Sequence, residues 1–326
     1  MLHQGDNVTI VRSILERSLH WLHNCLGNFD PYKVSSLPEA GEFIDSPYKP
    51  ITELAFLCIE WSKKKSKIED IISNDAATVI YEAMDLINTF INTYDLSSIF
   101  WNEPRAFPAF ATLLDYTSQV GLPDKGLRVE FERLLKEGYA LAMERLPFRY
   151  LDLHYTLDRL NCEHNLPDMG TLYAQTAVSQ CPPATCLDVV ECYAITHTIF
   201  YLTAMGERDL EELLAPSRVT ALRRLVKNLL VIMLWERDLD LLGEFLICAR
   251  FMNCNWSHAI ESAWQLIADF QRESGAIPRG SYGGQDCNVD NLEWQKYEFI
   301  HCYHTTLVII IAALHWILFT LEDNNV

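Results

Sequence analysis

Apolar residues recur along this chain at three- and four-residue spacing, a period that predicts helices almost throughout. Between Asn7 and Leu26 the stripe is Ile10, Val11, Ile14, Leu15, Leu19 and Leu22, one face of an amphipathic helix capped by Asp6 or Asn7. Pro31, Pro38, Gly41 and Pro47 make Gly27–Lys49 a loop. Pro50 suits the first turn of a helix through Trp61, and a second is expected over Ile68–Tyr94. After a connector at Asn102–Pro108, helices are predicted at Ala109–Val120, Asp124–Glu144, Tyr150–Leu160 and from Met169. Beyond Cys181-Pro182-Pro183 the candidates Leu187–Met205, Ser217–Leu234, Asp238–Met252 and Trp256–Gln271 are more apolar. Gly275–Gly284 reads as a long turn. The last helix, Leu292–Leu321, is expected to be interrupted near Cys302. Alternating runs with hairpin turns are absent, so no strand is predicted.

The expectation is an all-α fold of stacked helical hairpins, an α/α toroid or solenoid-like array whose cavity is lined from the second half. A shift in composition near Phe148 divides an N-terminal helical region, 1–146, from a C-terminal one, 147–326. One continuous array fits the same pattern.

Composition narrows the function classes. The 326 residues carry 26 Lys and Arg against 44 Asp and Glu, a formal charge of −18. That field repels phosphate backbones and anionic lipid, so neither nucleic acid nor membrane is an expected partner. Ten cysteines include no CxxC pair, and no signal peptide precedes them, which reads as reduced cytoplasmic thiols. The run Leu307–Leu321 is shorter than the ~20 residues of a spanning helix and carries His315, so it reads as a buried central helix.

Candidate chemistry lies in polar residues embedded in apolar helices, because burying them costs several kcal/mol unless they are paired. Glu191 and His197 are six residues apart on Leu187–Met205, about 120° apart in helical projection, so both can border one cavity. Asp240 and Glu244 form an i,i+4 pair that needs a cation such as Arg237 or Arg250. Asp240 reads as an exposed helix start, whereas Glu244, inside LLGEFLICA, does not read as surface. In His301-Cys302-Tyr303-His304, Cys302 and His304 are candidate zinc ligands, with Asp286, Cys287 or His197 completing the set. The blocks Glu191…His197-Thr198 and Glu298…His304-Thr305 share the pattern E-x5-H-T, which suggests equivalent histidines on two related hairpins.

The second half resembles a bacterial family of helical proteins often encoded near specialised-metabolite genes. The residues that carry this are Leu151-Asp152-Leu153, Tyr193-Ala194-Ile195-Thr196-His197, Asp240-Leu241-Leu242-Gly243-Glu244, Gln271–Pro278 and Cys302-Tyr303-His304-Thr305. Gln271-x3-Gly275-x-Ile277 is similar to the Q-x3-G-x-W repeat of α/α-toroid cyclases, with Ile277 in place of the aromatic residue. Tyr303-His304-Thr305 after Asp286-Cys287 is similar to the zinc-binding region of prenyltransferase β subunits, which have Asp-x-Cys instead.

Together these point to a biosynthetic enzyme acting on a small, partly apolar or peptide-derived substrate, by acid/base or metal-assisted chemistry. His197, His304, Glu244 and Glu191 are the catalytic candidates. Tyr193, Tyr303, Thr196 and Trp235 are the substrate-positioning ones. The alternative is a non-catalytic helical scaffold that holds a peptide or carrier-bound intermediate.

Overall fold

In the computed structural model, which describes residues 4–37, 44, 46–103, 106–254, 256–280 and 292–323, the apolar periods become helices, and no strand forms among the described residues. Helix α1 spans Gln4–Cys25, α2 Lys49–Glu69, α3 Asn74–Thr93, α4 Leu96–Asn102, α5 Phe107–Val120, α6 Leu127–Lys136 and α7 Pro147–Arg159. They are followed by α8 Met169–Gln175, α9 Val189–Leu202, α10 Pro216–Glu236, α11 Leu239–Phe251, α12 Ser257–Phe270 and α13 Leu292–Asp323.

Local chemistry sets these starts. Pro50, Pro108, Pro147 and Pro216 occupy first turns, where their missing N–H costs nothing. The side chains of Ser73, Asp95, Asp168, Asp188 and Asp238 accept from backbone N–H groups at the starts of α3, α4, α8, α9 and α11. Ser73 thereby divides the single helix expected over Ile68–Tyr94, and α2 runs on to Glu69. Gly138, at φ 80°, ends the helix expected to reach Glu144. Helix α4 is too short to show a period. Helix α13 is not interrupted at Cys302, since no Pro or Gly occurs within it and the thiol packs as a small hydrophobe.

Six helices touch in a closed cycle: α2 packs on α5, α5 on α7, α7 on α9, α9 on α11, α11 on α13, and α13 on α2. Helices α1, α3, α10 and α12 pack against members of this cycle. Residues 239–249 of α11 and 305–315 of α13 are buried on every side, which explains runs apolar all round the helix. The two helices approach closely at Gly243, where a Cβ would stand 2.5 Å from Ile309 Cδ1. Helix α13 is long and apolar enough to cross a membrane by length and composition, more than its Leu307–Leu321 run implies. Its most apolar window is 83% buried against the rest of the protein, and Lys64 and Glu60 of α2 meet His315 there. Helices α1 and α2 of the first region pack on α13 of the second, and the apolar side chains of both regions form one core.

Candidate functional site

Side chains from each of the six helices of the cycle line a cavity of about 1030 Å³. His197 and Tyr193 reach it from α9, Glu244 from α11, and Tyr303 and His304 from α13. Two histidines more than a hundred positions apart therefore face one space. Phe56, Phe200, Met205, Ile247 and Ile311 supply apolar wall.

His197 sits among aromatic rings, with Phe148, Phe200, Tyr193 and Tyr201 at centroid distances of 5.6, 5.7, 6.1 and 6.3 Å. Its Nδ1 is 2.9 Å from the Tyr193 carbonyl oxygen, which can only accept, so Nδ1 carries the proton and Nε2 keeps its lone pair. Burial, and then the Arg149 guanidinium, hold its pKa well below the ordinary histidine value. Glu244, 2% exposed, takes a hydrogen bond from the Thr196 hydroxyl and lies 3.6 Å from His197 Nδ1. Burial, and then the neighbouring Asp240 charge, push the Glu244 carboxyl up to about 8. A neutral imidazole and a carboxyl that keeps its proton at neutral pH thus stand together.

His304 carries the opposite charge state. Its Nδ1 donates to Glu53 Oε2 at 3.0 Å, and its Nε2 lies 3.7 Å from Asp240 Oδ2. Burial opposes the charged ring, but Glu53 and then Asp240 outweigh it and raise His304 to about 10. The Glu53 carboxyl is itself held below its usual value: burial is overcome by the charge and hydrogen bond of His304. Asp240 further accepts from the Tyr193 hydroxyl and, at 2.9 Å, from Thr305. Asp240 is 1% exposed, which corrects the reading of it as an exposed helix start. It is the acceptor on which α9, α11 and α13 meet. The cation beside the carboxylate pair is His304; Arg237 stacks on Phe270, and Arg250 bonds Asn253.

Several expected residues fall elsewhere. The Glu191 carboxylate accepts from the Asp188 backbone N–H in a capping box at the start of α9, so it does not tune His197. Its counterpart in the repeated pattern, Glu298, is buried and bonds Trp21, Arg272 and Ser274, so the echo equates the histidines but not the glutamates. Trp235 is 88% exposed and outside the cavity. Thr196 is buried behind the wall and positions Glu244 rather than a ligand. Tyr303 lines the cavity while stacking on Phe299. Cys302 lies on another face of α13 from His304, and burial pushes its thiol up to about 12, so the two do not form a chelate. Asp286 and Cys287 lie outside the described residues. Glu53 was missed because Lys49–Glu69 reads as an ordinary surface helix. Arg279 was missed because it sits in a turn, yet its guanidinium lies 5.9 Å from the Tyr193 ring centroid.

These charge states have a direct readout. In nitrogen-detected imidazole NMR spectra, His304 is expected to keep both ring protons until the pH approaches about 10, and His197 to remain the neutral Nδ1–H tautomer. A His304 that titrates at the ordinary 6.5 would show that Glu53 and Asp240 do not grip it.

No curated protein sequence matches the chain. A family model described as a domain of unknown function (DUF6895) matches residues 15–314, and the chain belongs to that family.

Proposed function

We propose that the protein is a small-molecule enzyme working by general acid–base chemistry in the central cavity of an α/α toroid. The toroid reading is supported by the closed contact cycle of α2, α5, α7, α9, α11 and α13 around that cavity. The observation that carries the functional reading is the convergence of His197, Glu244, Asp240 and His304 from three helices on one wall.

In this reading His197 Nε2 takes a proton from the substrate, and Glu244 returns one. The His304 cation, fixed between Glu53 and Asp240, stabilises negative charge that develops nearby. Tyr193 and Tyr303 position the substrate. The volume suits a drug-sized or peptide-derived molecule, and the mixed wall suits one that is partly apolar. The described cysteines are free, which supports a reducing, cytoplasmic setting. The specialised-metabolism setting rests on the sequence resemblance alone, and the cavity chemistry does not depend on it.

The test is incubation of the purified protein with small-molecule extracts, followed by mass spectrometry, alongside His197→Gln. The wild type is expected to consume one species and release another, and the variant to do so about 100- to 10,000-fold more slowly. Equal turnover by both would overturn the assignment. A molecule held unchanged by both would favour the non-catalytic scaffold.

A further inference from the structure

We propose that His154, Asp158 and His164 form a binding site for a zinc-class divalent cation, separate from the cavity. None of the three lines that cavity, although α7 contributes Arg149, Asp152, Tyr155 and Thr156 to it.

The chain builds this site at the end of α7. His154 and Asp158 are four residues apart and share a helix face. The helix then stops in a Schellman turn, with Cys162 N–H donating to Leu157 O and Asn161 N–H to Asp158 O, and Asn161 at φ 52°. That reversal brings His164 back over His154, with ring centroids 4.7 Å apart. One ligand atom from each of the three residues lies within 4.8 Å of the others.

The spacing is close to that of ligands around a small divalent cation. His154 Nδ1 is 3.0 Å from Asp158 Oδ2, and His164 Nε2 is 3.1 Å from Asp158 Oδ1. Ligands at ~2.0–2.2 Å around a tetrahedral ion stand roughly 3.3 Å apart. Both histidine side chains are nine-tenths buried, and Nδ1 of each makes no aligned hydrogen bond among the described residues. A divalent cation between them would take the lone pairs of the unpartnered His154 Nδ1 and of His164 Nε2 together with the Asp158 carboxylate. Two imidazoles and a carboxylate favour zinc or ferrous iron over magnesium or calcium. Asp158 is 59% exposed, which leaves the ion a path from solvent and room for a water ligand. The cation would tie the segment after Asn161 to α7.

Zinc chloride titrated calorimetrically into chelator-treated, tag-free protein is expected to bind at one equivalent per chain. Cobalt at the same site is expected to give visible bands of a low-coordinate ion. Asp158→Asn, at an exposed position that leaves packing intact, and His164→Gln are each expected to weaken zinc binding about tenfold or more. Circular dichroism verifies that both variants keep their helix content. No binding by the wild type, or wild-type affinity in both variants, would overturn the site.

Discussion

Asp240→Ala is expected to cost about 3 kcal/mol of folding stability, the lower end of what breaking a buried ion pair costs. The carboxylate, on a residue 1% exposed, accepts from Tyr193 and Thr305 and faces the His304 cation. Its removal leaves two hydroxyls without their acceptor in a site that holds α9, α11 and α13 together. Glu53 stays on His304 Nδ1 and keeps that charge partly compensated, which is why the loss falls at the low end. Asp240→Asn keeps an acceptor oxygen for one of the two hydroxyls and is expected to lose less. Urea unfolding gives the comparison through midpoints at unchanged slope. A cost for the alanine variant within the surface range of about 0.5 kcal/mol would mean that the network contributes nothing to the fold.

The same residue contributes to the pH profile, after burial at Glu244 and after Glu53 at His304. His304 is raised from 6.5 to about 10, and Glu244 from 4.5 to about 8, so each binds a proton in the folded chain that the unfolded chain has released. Stability from Glu244 is full below 4.5 and lost as pH rises through about 8; that from His304 is full below 6.5 and lost through about 10. Wild-type stability therefore falls on the alkaline side. Without Asp240 the repulsion on Glu244 disappears and one of the anions holding His304 charged is gone, so both losses move to lower pH. Glu53 acts in the other sense: its lowered pKa contributes stability above 4.5 that is lost on acidification.

Periodicity was enough to place most helices, because amphipathic and buried stripes repeat over several turns. It failed where a single residue decides. Ser73 starts α3 by accepting one backbone N–H, and Gly138 ends a helical run by adopting a left-handed φ. Neither interrupts the apolar pattern enough to be seen. His197, His304 and Glu244 were legible because a polar group inside an apolar run needs a partner. Their partners were less so. Glu53 and Arg279 lie on segments of ordinary composition, and Asp240 looks like a helix-start acid until α13 closes over it. Trp235 shows the converse error: a large aromatic at the end of an apolar helix invites a site, but its position on α10 leaves it in solvent. The His154, Asp158 and His164 cluster depends on a chain reversal at Asn161, which spacing along the sequence does not reveal.

Gly275→Ala is expected to be the most damaging small substitution, at about 4 kcal/mol or more. Gly275 has φ 96°, where an L side chain is already strained, and a Cβ there would stand 2.1 Å from the Arg17 carbonyl oxygen. That neighbour is the backbone of α1 and cannot rotate away. The residue sits in a strap, 271–279, that joins several elements. Gln271 donates to the Gly275 carbonyl, to Ile14 O and to Ser18, Ile277 N–H donates to Thr306, and Leu239 N–H donates to Arg279 O. Lifting the strap off α1 therefore loosens α13 beside Thr305 and the start of α11 beside Asp240, and it withdraws Arg279 from Tyr193. Gly280→Ala is the control: among the described residues its Cβ would meet only Arg237 O at 3.5 Å, an ordinary contact, so a change within about 0.5 kcal/mol is expected. Thermal and urea unfolding of the two variants give the comparison. Equal midpoints would mean that α1 yields to the new methyl group. A large loss confined to Gly275→Ala would mean that the N-terminal helix holds the cavity wall in place through the strap.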